Sequence, residues 1–208
     1  MYFRSVKGLT IAGPGQIDGQ GSIWWGDGDV KLMLLFKNCD GLRLRGSRFV
    51  NSPKTHISIS GCKGADIQSP RISAADYSPN TNGIDISWSS HINIHDSSIG
   101  SGGLGKHSSY TAVEKVLVRQ SYFTSTQNGA RIKTVPPNAS SVQVSDVTYR
   151  DIHGSSASTQ AIIFNCVGEF NCTGIVTDDV EVTGEGVFAS CQNVHGDFTQ
   201  TTPQITCA

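Results

Sequence analysis

Short runs of alternating apolar and polar residues, separated by glycine-rich or polar corners, recur along this chain as one phrase. Apolar residues stand at its positions 1 and 3, and an apolar or aromatic residue stands at position 8. The first three copies are Leu42, Leu44 and Phe49; Ala65, Ile67 and Ile72; and Ile92, Ile94 and Ile99. The next three are Val116, Val118 and Phe123; Val142, Val144 and Tyr149; and Ile175, Thr177 and Val182, with Thr177 the weakest match. Successive copies start 23, 27, 24, 26 and 33 residues apart. Period-two alternation turns one face of each strand inward. A period in the twenties, built from β-branched strands and polar turns, predicts a solenoid. Further strands fall between the copies at 56–60, 84–86, 131–133 and 161–164, so each coil carries about three short strands. That describes an all-β chain wound as a parallel β-helix. A β-sandwich also uses short alternating strands, but it leaves the phased repeat unexplained. In the solenoid, like residues stack about 4.8 Å apart, and each buried Ile or Val contributes roughly 1.5–3 kcal/mol.

Composition narrows the function classes. The chain has 208 residues, 23 of them glycine, and only 16% are charged, which fits one turn-rich β domain spanning 1–208. The formal net charge of -1 supplies no global field for nucleic acid or an anionic membrane. The longest apolar run, Leu32-Met33-Leu34-Leu35-Phe36, is far too short to span a bilayer. The first residues lack the apolar stretch of a signal peptide. Against that stand two N-glycosylation sequons, Asn138-Ala139-Ser140 and Asn171-Cys172-Thr173. Four of six cysteines (Cys166, Cys172, Cys191, Cys207) also crowd the C-terminal end, so the chain reads as descended from secreted proteins. No Cys/His spacing suits a metal, and neither metal nor cofactor is expected. Cys39 and Cys62 each lie three residues before a repeat start and should stack in neighbouring coils. That spacing falls inside the disulfide window, with two buried free thiols as the simpler alternative.

Three stretches carry chemistry. Ser78-Pro79-Asn80-Thr81-Asn82-Gly83 sits at the mouth of a strand and presents amides and a hydroxyl from a rigid turn. Asn128-Gly129-Ala130-Arg131-Ile132-Lys133 places Arg131 and Lys133 two apart on a strand, so both leave the same face while Ile132 points inward. A guanidinium fork beside a point charge suits a carboxylated sugar, although Arg-x-Lys on a strand is by itself often only a solvated face. Near the N-terminus, Gly8 to Ile11 leads to Ile17-Asp18-Gly19-Gln20-Gly21 and to Trp24-Trp25, which reads as core and turn.

Together these stretches resemble the polygalacturonases, the pectin-cleaving enzymes of glycoside hydrolase family 28. The resemblance covers nearly the whole chain. It implies a right-handed parallel β-helix, a secreted protein of the plant cell wall, and inverting hydrolysis of α-1,4-galacturonosyl bonds. It also implies that Asn80, Arg131 and Lys133 bind polygalacturonate or another pectin oligosaccharide. Cys166 would pair with Cys172, and Cys191 with Cys207, as in the family's C-terminal region. A monomer is expected.

The departures from the family pattern bear on activity. Asn82 stands where the family has its first catalytic Asp, and an amide is neither general acid nor general base. The family's Gly-Asp-Asp-Cys and Gly-His-Gly motifs find no match after Ser97-Ser98-Ile99-Gly100. About one central coil, and coils at the N-terminal side, are expected to be missing. The expectation is therefore an inactive protein or a weak pectin-binding remnant. One alternative is an active hydrolase that recruits Asp76, Asp85 and Asp96; another is a structural or adhesive β-helix. Taken singly, those three aspartates read as solvated strand or turn carboxylates, and His107 reads as a loop histidine.

Overall fold

The computed structural model describes residues 1–25, 32–75, 78, 81–100, 112–126, 130–133, 143–166 and 171–207. Two stacks of parallel strands build it. The first rung holds β1 (Tyr2–Arg4), β2 (Thr10–Ala12) and β3 (Gln16–Asp18), followed by a 3-10 turn over Gly21–Trp24. The second holds β4 (Leu34–Lys37), β5 (Arg43–Arg45) and β6 (Arg48–Val50), and the third β7 (Ile57–Ser60), β8 (Lys63–Gln68) and β9 (Arg71–Ser73). The fourth holds β10 (Ile84–Ser87), β11 (Ser90–His95) and β12 (Ser98–Gly100). Beyond it the paired strands merge into long ones: β13 (Ala112–Thr126), β14 (Ala130–Lys133) with β15 (Gln143–Ser156), and β16 (Gln160–Asn165) with β17 (Cys172–Thr183). The last pair is β18 (Phe188–Gln192) and β19 (Val194–Thr202). Three short strands per coil therefore hold only in the first half.

Every ladder among the described residues runs parallel, which makes the fold a parallel β-helix. One wall stacks β1-β4-β7-β10 and, separately, β14-β16-β18; the other runs unbroken from β2 and β3 to β19. The unbroken wall aligns Ile11, Leu44, Ile67, Ile94, Val118, Tyr149, Thr177 and Phe198 in one interior column. Nearly all of that column is buried, and Phe164 stacks between Tyr149 and Phe198 at 5.8 and 6.1 Å. Thr177 lies in the core without cost because its hydroxyl meets that of Thr201 at 2.7 Å.

The corners stack as well, and each needs a left-handed backbone. One column runs Gly8, Gly41, Gly64, His91, Lys115, Asp146 and Gly174, all with φ between 54° and 73°. A second runs Gly46, Ser69, Asp96, Gln120, Asp151, Asp179 and Gln200, with φ between 45° and 73°. Gly and Asp recur in these columns because such residues enter the left-handed region more readily than most.

One sequence expectation is corrected. The fifth copy of the repeat is not Val142, Val144 and Tyr149. Val116 pairs with Val147, Val118 with Tyr149, and Phe123 with Gly154. Val142 itself lies outside the described residues. The run offers two phases, because Val144, Val147 and Tyr149 are all buried. Position 8 falls on Gly154 for a steric reason: a Cβ there would lie 2.0 Å from the carbonyl oxygen of Phe123.

Candidate functional site

Two stretches of the same sequence type precede the neighbouring strands β7 and β10. Ser52-Pro53-Lys54-Thr55 precedes β7 and Ser78-Pro79-Asn80-Thr81 precedes β10. In the first, the Ser52 hydroxyl donates to the Thr55 carbonyl at 2.9 Å. In the second, the hydroxyls of Ser78 and Thr81 meet at 2.6 Å. The two rungs are tied together where the His56 amide donates to the Asn82 carbonyl at 2.9 Å and that of Ile57 to Gly83 at 3.1 Å.

Asn82 is half-buried, and its amide donates to Asp85 Oδ1 at 3.2 Å. The other Asp85 oxygen accepts from the Thr55 hydroxyl at 2.7 Å. Asp85 is only 7% exposed, so it is not the solvated strand carboxylate that its local sequence suggests. It sits on the outward side of β10 in register with Ser58, while Ile57, Ile59 and Ile84 fill the core. Thr55, one rung earlier, is what makes burial of the carboxylate tolerable.

His56 closes the site from behind. It is fully buried, with Nδ1 3.0 Å from the Asn82 carbonyl and Nε2 3.1 Å from that of Ser73. The Ser52 amide also lies 3.4 Å from Nε2, and a neutral ring, with one N–H, donates to one of the two carbonyls. Burial, opposed by the two carbonyls, lowers the His56 pKa below its ordinary value, so the imidazole is a neutral peg holding the Asn82 backbone. Sequence reasoning passed over Thr55 and His56; the repeated Ser-Pro-x-Thr was the signal that could have found them.

Arg131 and Lys133 lie on β14, two rungs from β10, roughly 10 Å along the solenoid axis. Ile132 between them is buried. Arg131 Nε is itself buried and has no acceptor among the described residues, a costly condition for a cationic donor unless an anion meets it. Asn165 pairs with Lys133 in the next rung, and its buried Oδ1 also has no partner among the described residues. Outward positions on this wall include the polar Ser58, Ser60, Ser87, Arg131 and Asn165, beside the apolar Leu35 and Ile163.

Of the aspartates proposed as substitutes, Asp85 and Asp96 are not brought together. Asp96 belongs to a corner column of the other wall, where its carboxylate meets His95 Nδ1 at 2.8 Å, and His95 Nε2 meets Asp66 at 3.2 Å. A left-handed corner, not chemistry on the outer wall, explains an Asp at that position. Asp76, Asn80 and His107 lie outside the described residues. Asp18 has the turn role expected of it, accepting from the Gln20 amide at 2.9 Å and from Asn51 at 3.3 Å. The candidate metal ligands among the described residues, Asp151, His153 and Asp179, are on β15 and β17, away from this site.

Two disulfides staple the C-terminal rungs, Cys166–Cys172 and Cys191–Cys207, while Cys39 and Cys62 are buried free thiols. The Cys39 amide lies 3.2 Å from Cys62 Sγ, in the neighbouring rung.

The sequence pattern of glycosyl hydrolases family 28 matches residues 1–103 and 134–202. The chain belongs to that family. A probable polygalacturonase of Arabidopsis thaliana is 31% identical over 282 aligned positions, covering 100% of this chain and 62% of the relative. Polygalacturonase-2 of Solanum lycopersicum is 27% identical, covering 98% of the chain and 62% of the relative. The chain thus spans about three fifths of the length of these curated relatives. All 208 residues lie within the 282 aligned positions, so about 74 positions of the Arabidopsis protein have no counterpart here. Among solved structures, the endo-xylogalacturonan hydrolase of Aspergillus tubingensis superposes with a TM-score of 0.68 at 18% identity, covering 100% of this chain and 78% of that one. A polygalacturonase from Erwinia carotovora gives 0.55 at 18% identity, covering 94% and 72%. These superpositions agree with the β-helix. Asn82 lies inside the first segment matched to family 28, whereas Arg131 and Lys133 fall in the stretch between the two segments.

Proposed function

We propose that this family 28 chain binds polygalacturonate or a related pectin oligosaccharide on the outer wall and does not cleave it. The observation that carries the reading is the contact between Asn82 and Asp85. Inverting hydrolysis needs a carboxylic acid to protonate the leaving oxygen and a carboxylate about 6.5–9.5 Å away to activate water. At the family's Asp position this chain has an amide, already used as a donor to Asp85. Asp85 alone cannot be both acid and base, and Asp96 faces a different wall. The 74 or so positions of the Arabidopsis relative that lack a counterpart amount to two to three coils at the spacing of this repeat, which is room enough for the family's remaining carboxylates to have been lost.

Binding rests on Arg131 and Lys133, with Asn80 as a further contact from the turn. A buried guanidinium nitrogen without an acceptor among the described residues supports an anionic partner. Titration calorimetry with oligogalacturonate tests this: affinity should fall as salt is raised and vanish in Arg131→Ala/Lys133→Ala. Undiminished affinity in the double variant would remove the binding reading. We place the protein outside the cell or in the wall, in line with its disulfides and plant relatives. The burial of Asp85 beside Asn82 favours one second reading, residual hydrolysis through Asp85, which Asp85→Asn would abolish.

A further inference from the structure

The start of β17 brings a modification motif and a disulfide onto the same three residues. Asn171-Cys172-Thr173 has the acceptor pattern for N-linked glycosylation, and its central residue is bonded to Cys166, six residues earlier. Asn171 and Thr173 are exposed while Cys172 is buried, as alternation on a strand dictates. In the folded chain the sequon is held from three sides. The disulfide fixes Cys172, the Cys172 amide donates to the Asn193 carbonyl at 3.1 Å, and the Asn171 amide donates to His195 Nε2 at 2.8 Å.

We propose that Asn171 is a site of N-linked glycosylation, and that transfer of the glycan competes with closure of the Cys166–Cys172 disulfide. The co-reactant is an oligosaccharide linked through pyrophosphate to a lipid carrier. Asn171 Nδ2 forms a bond to the anomeric carbon and the carbon–oxygen bond to pyrophosphate breaks. The lipid pyrophosphate leaves, and Nδ2 gives up one proton to a base of the transferase; nothing is oxidised or reduced. A transferase must take hold of the Asn171 amide and the Thr173 hydroxyl together, which requires a free, extended segment. Once Cys172 is tied to Cys166 and paired with β19, the amide is engaged by His195 and the segment is no longer free. Both events become possible only as Cys172 enters an oxidising lumen, so the two rates decide how many chains carry the glycan. The glycan does not disturb the finished fold: Asn171 faces solvent, and a glycosylated amide keeps one N–H for His195. This inference is independent of pectin binding.

The test uses the full chain, placed behind a cleavable secretory leader in eukaryotic cells. Total chain, folded or not, is treated with a glycan-removing amidase in heavy-oxygen water, which marks each occupied Asn as a labelled Asp for peptide mass analysis. The wild-type chain should show partial occupancy of Asn171. Occupancy should rise about twofold or more in Cys166→Ser, or when dithiothreitol is pulsed during synthesis, because disulfide closure on the scale of seconds no longer intervenes. Thr173→Ala should abolish it. The other sequon, at Asn138, has no cysteine within it and should not respond to either treatment. An Asn171 left bare in the wild type and in both treatments would overturn the site. Full occupancy indifferent to Cys166 and to dithiothreitol would overturn the competition.

Discussion

Replacing Asn82 with Asp restores the family residue, and the structure predicts that it harms this protein. The Asn82 amide donates to Asp85 Oδ1 at 3.2 Å, and Asp85 is 7% exposed. Asn82→Asp therefore turns a donor–acceptor contact into two carboxylates in a nearly closed site. At a charge separation of about 4 Å and an effective dielectric of about 20, repulsion is roughly 4 kcal/mol. The pair can escape by keeping one proton. At pH 7 that costs about three pKa units on a carboxyl of ordinary pKa near 4, again about 4 kcal/mol. Turning the new side chain toward solvent instead forfeits a hydrogen bond to a charged acceptor, about 1.5–3 kcal/mol. The expected loss at pH 7 is thus about 2–4 kcal/mol, a large share of the stability of an ordinary domain. The sign with pH follows: like charges raise the carboxyl pKa in the folded state, so the folded chain holds the proton more tightly. The deficit should shrink by up to about 1.4 kcal/mol per unit as pH falls from about 7 toward 4.5. Denaturant titrations at both pH values measure it. The swap Asn82→Asp/Asp85→Asn should recover most of the loss by restoring one donor and one acceptor. A single variant as stable as wild type at pH 7 would refute the contact, and one that gained pectin hydrolysis would refute the account of the missing carboxylates.

Four further outcomes follow from other parts of the fold. Arg131→Ala and Lys133→Ala should each weaken oligogalacturonate binding and flatten its dependence on salt, as read by calorimetry. Burial holds the His56 pKa below 6.5, so its contribution is intact above that pH and is lost as pH falls through 6.5 toward the folded value. His56→Asn should be less stable than wild type at neutral pH yet lose less stability on acidification. Gly154→Ala places a methyl group 2.0 Å from the Phe123 carbonyl, so neighbouring rungs must separate locally, at a cost of about 1–3 kcal/mol or more by thermal unfolding. Removing Cys191–Cys207 should cost roughly 3 kcal/mol and removing Cys166–Cys172 roughly 2, since sequence separations of 16 and 6 close loops of different entropy.

Much of the fold was legible because a β-helix writes its periodicity into the chain. The strands of the interrupted wall at β7, β10, β14 and β16 fall where alternation placed them. The fifth repeat was mis-phased because Val144, Val147 and Tyr149 satisfy two alignments. Only contact with the Phe123 carbonyl shows why glycine must take position 8. The site was less legible. Burial of an outward-facing strand residue such as Asp85 depends on what the neighbouring rung supplies, here the Thr55 hydroxyl 30 residues earlier. Likewise Asp96 looks near Asp85 in sequence, yet a corner between them sends it to the other wall. Short spacing along a coil does not mean a shared face.

The most direct test of the central claim is reducing-end release from polygalacturonic acid by purified, folded protein, with a full-length family 28 enzyme as positive control. The account predicts no release above background while the same preparation binds oligogalacturonate in a salt-dependent way. Turnover that persists through repurification and disappears in Asp85→Asn would contradict it, and would make Asp85 a working carboxylate.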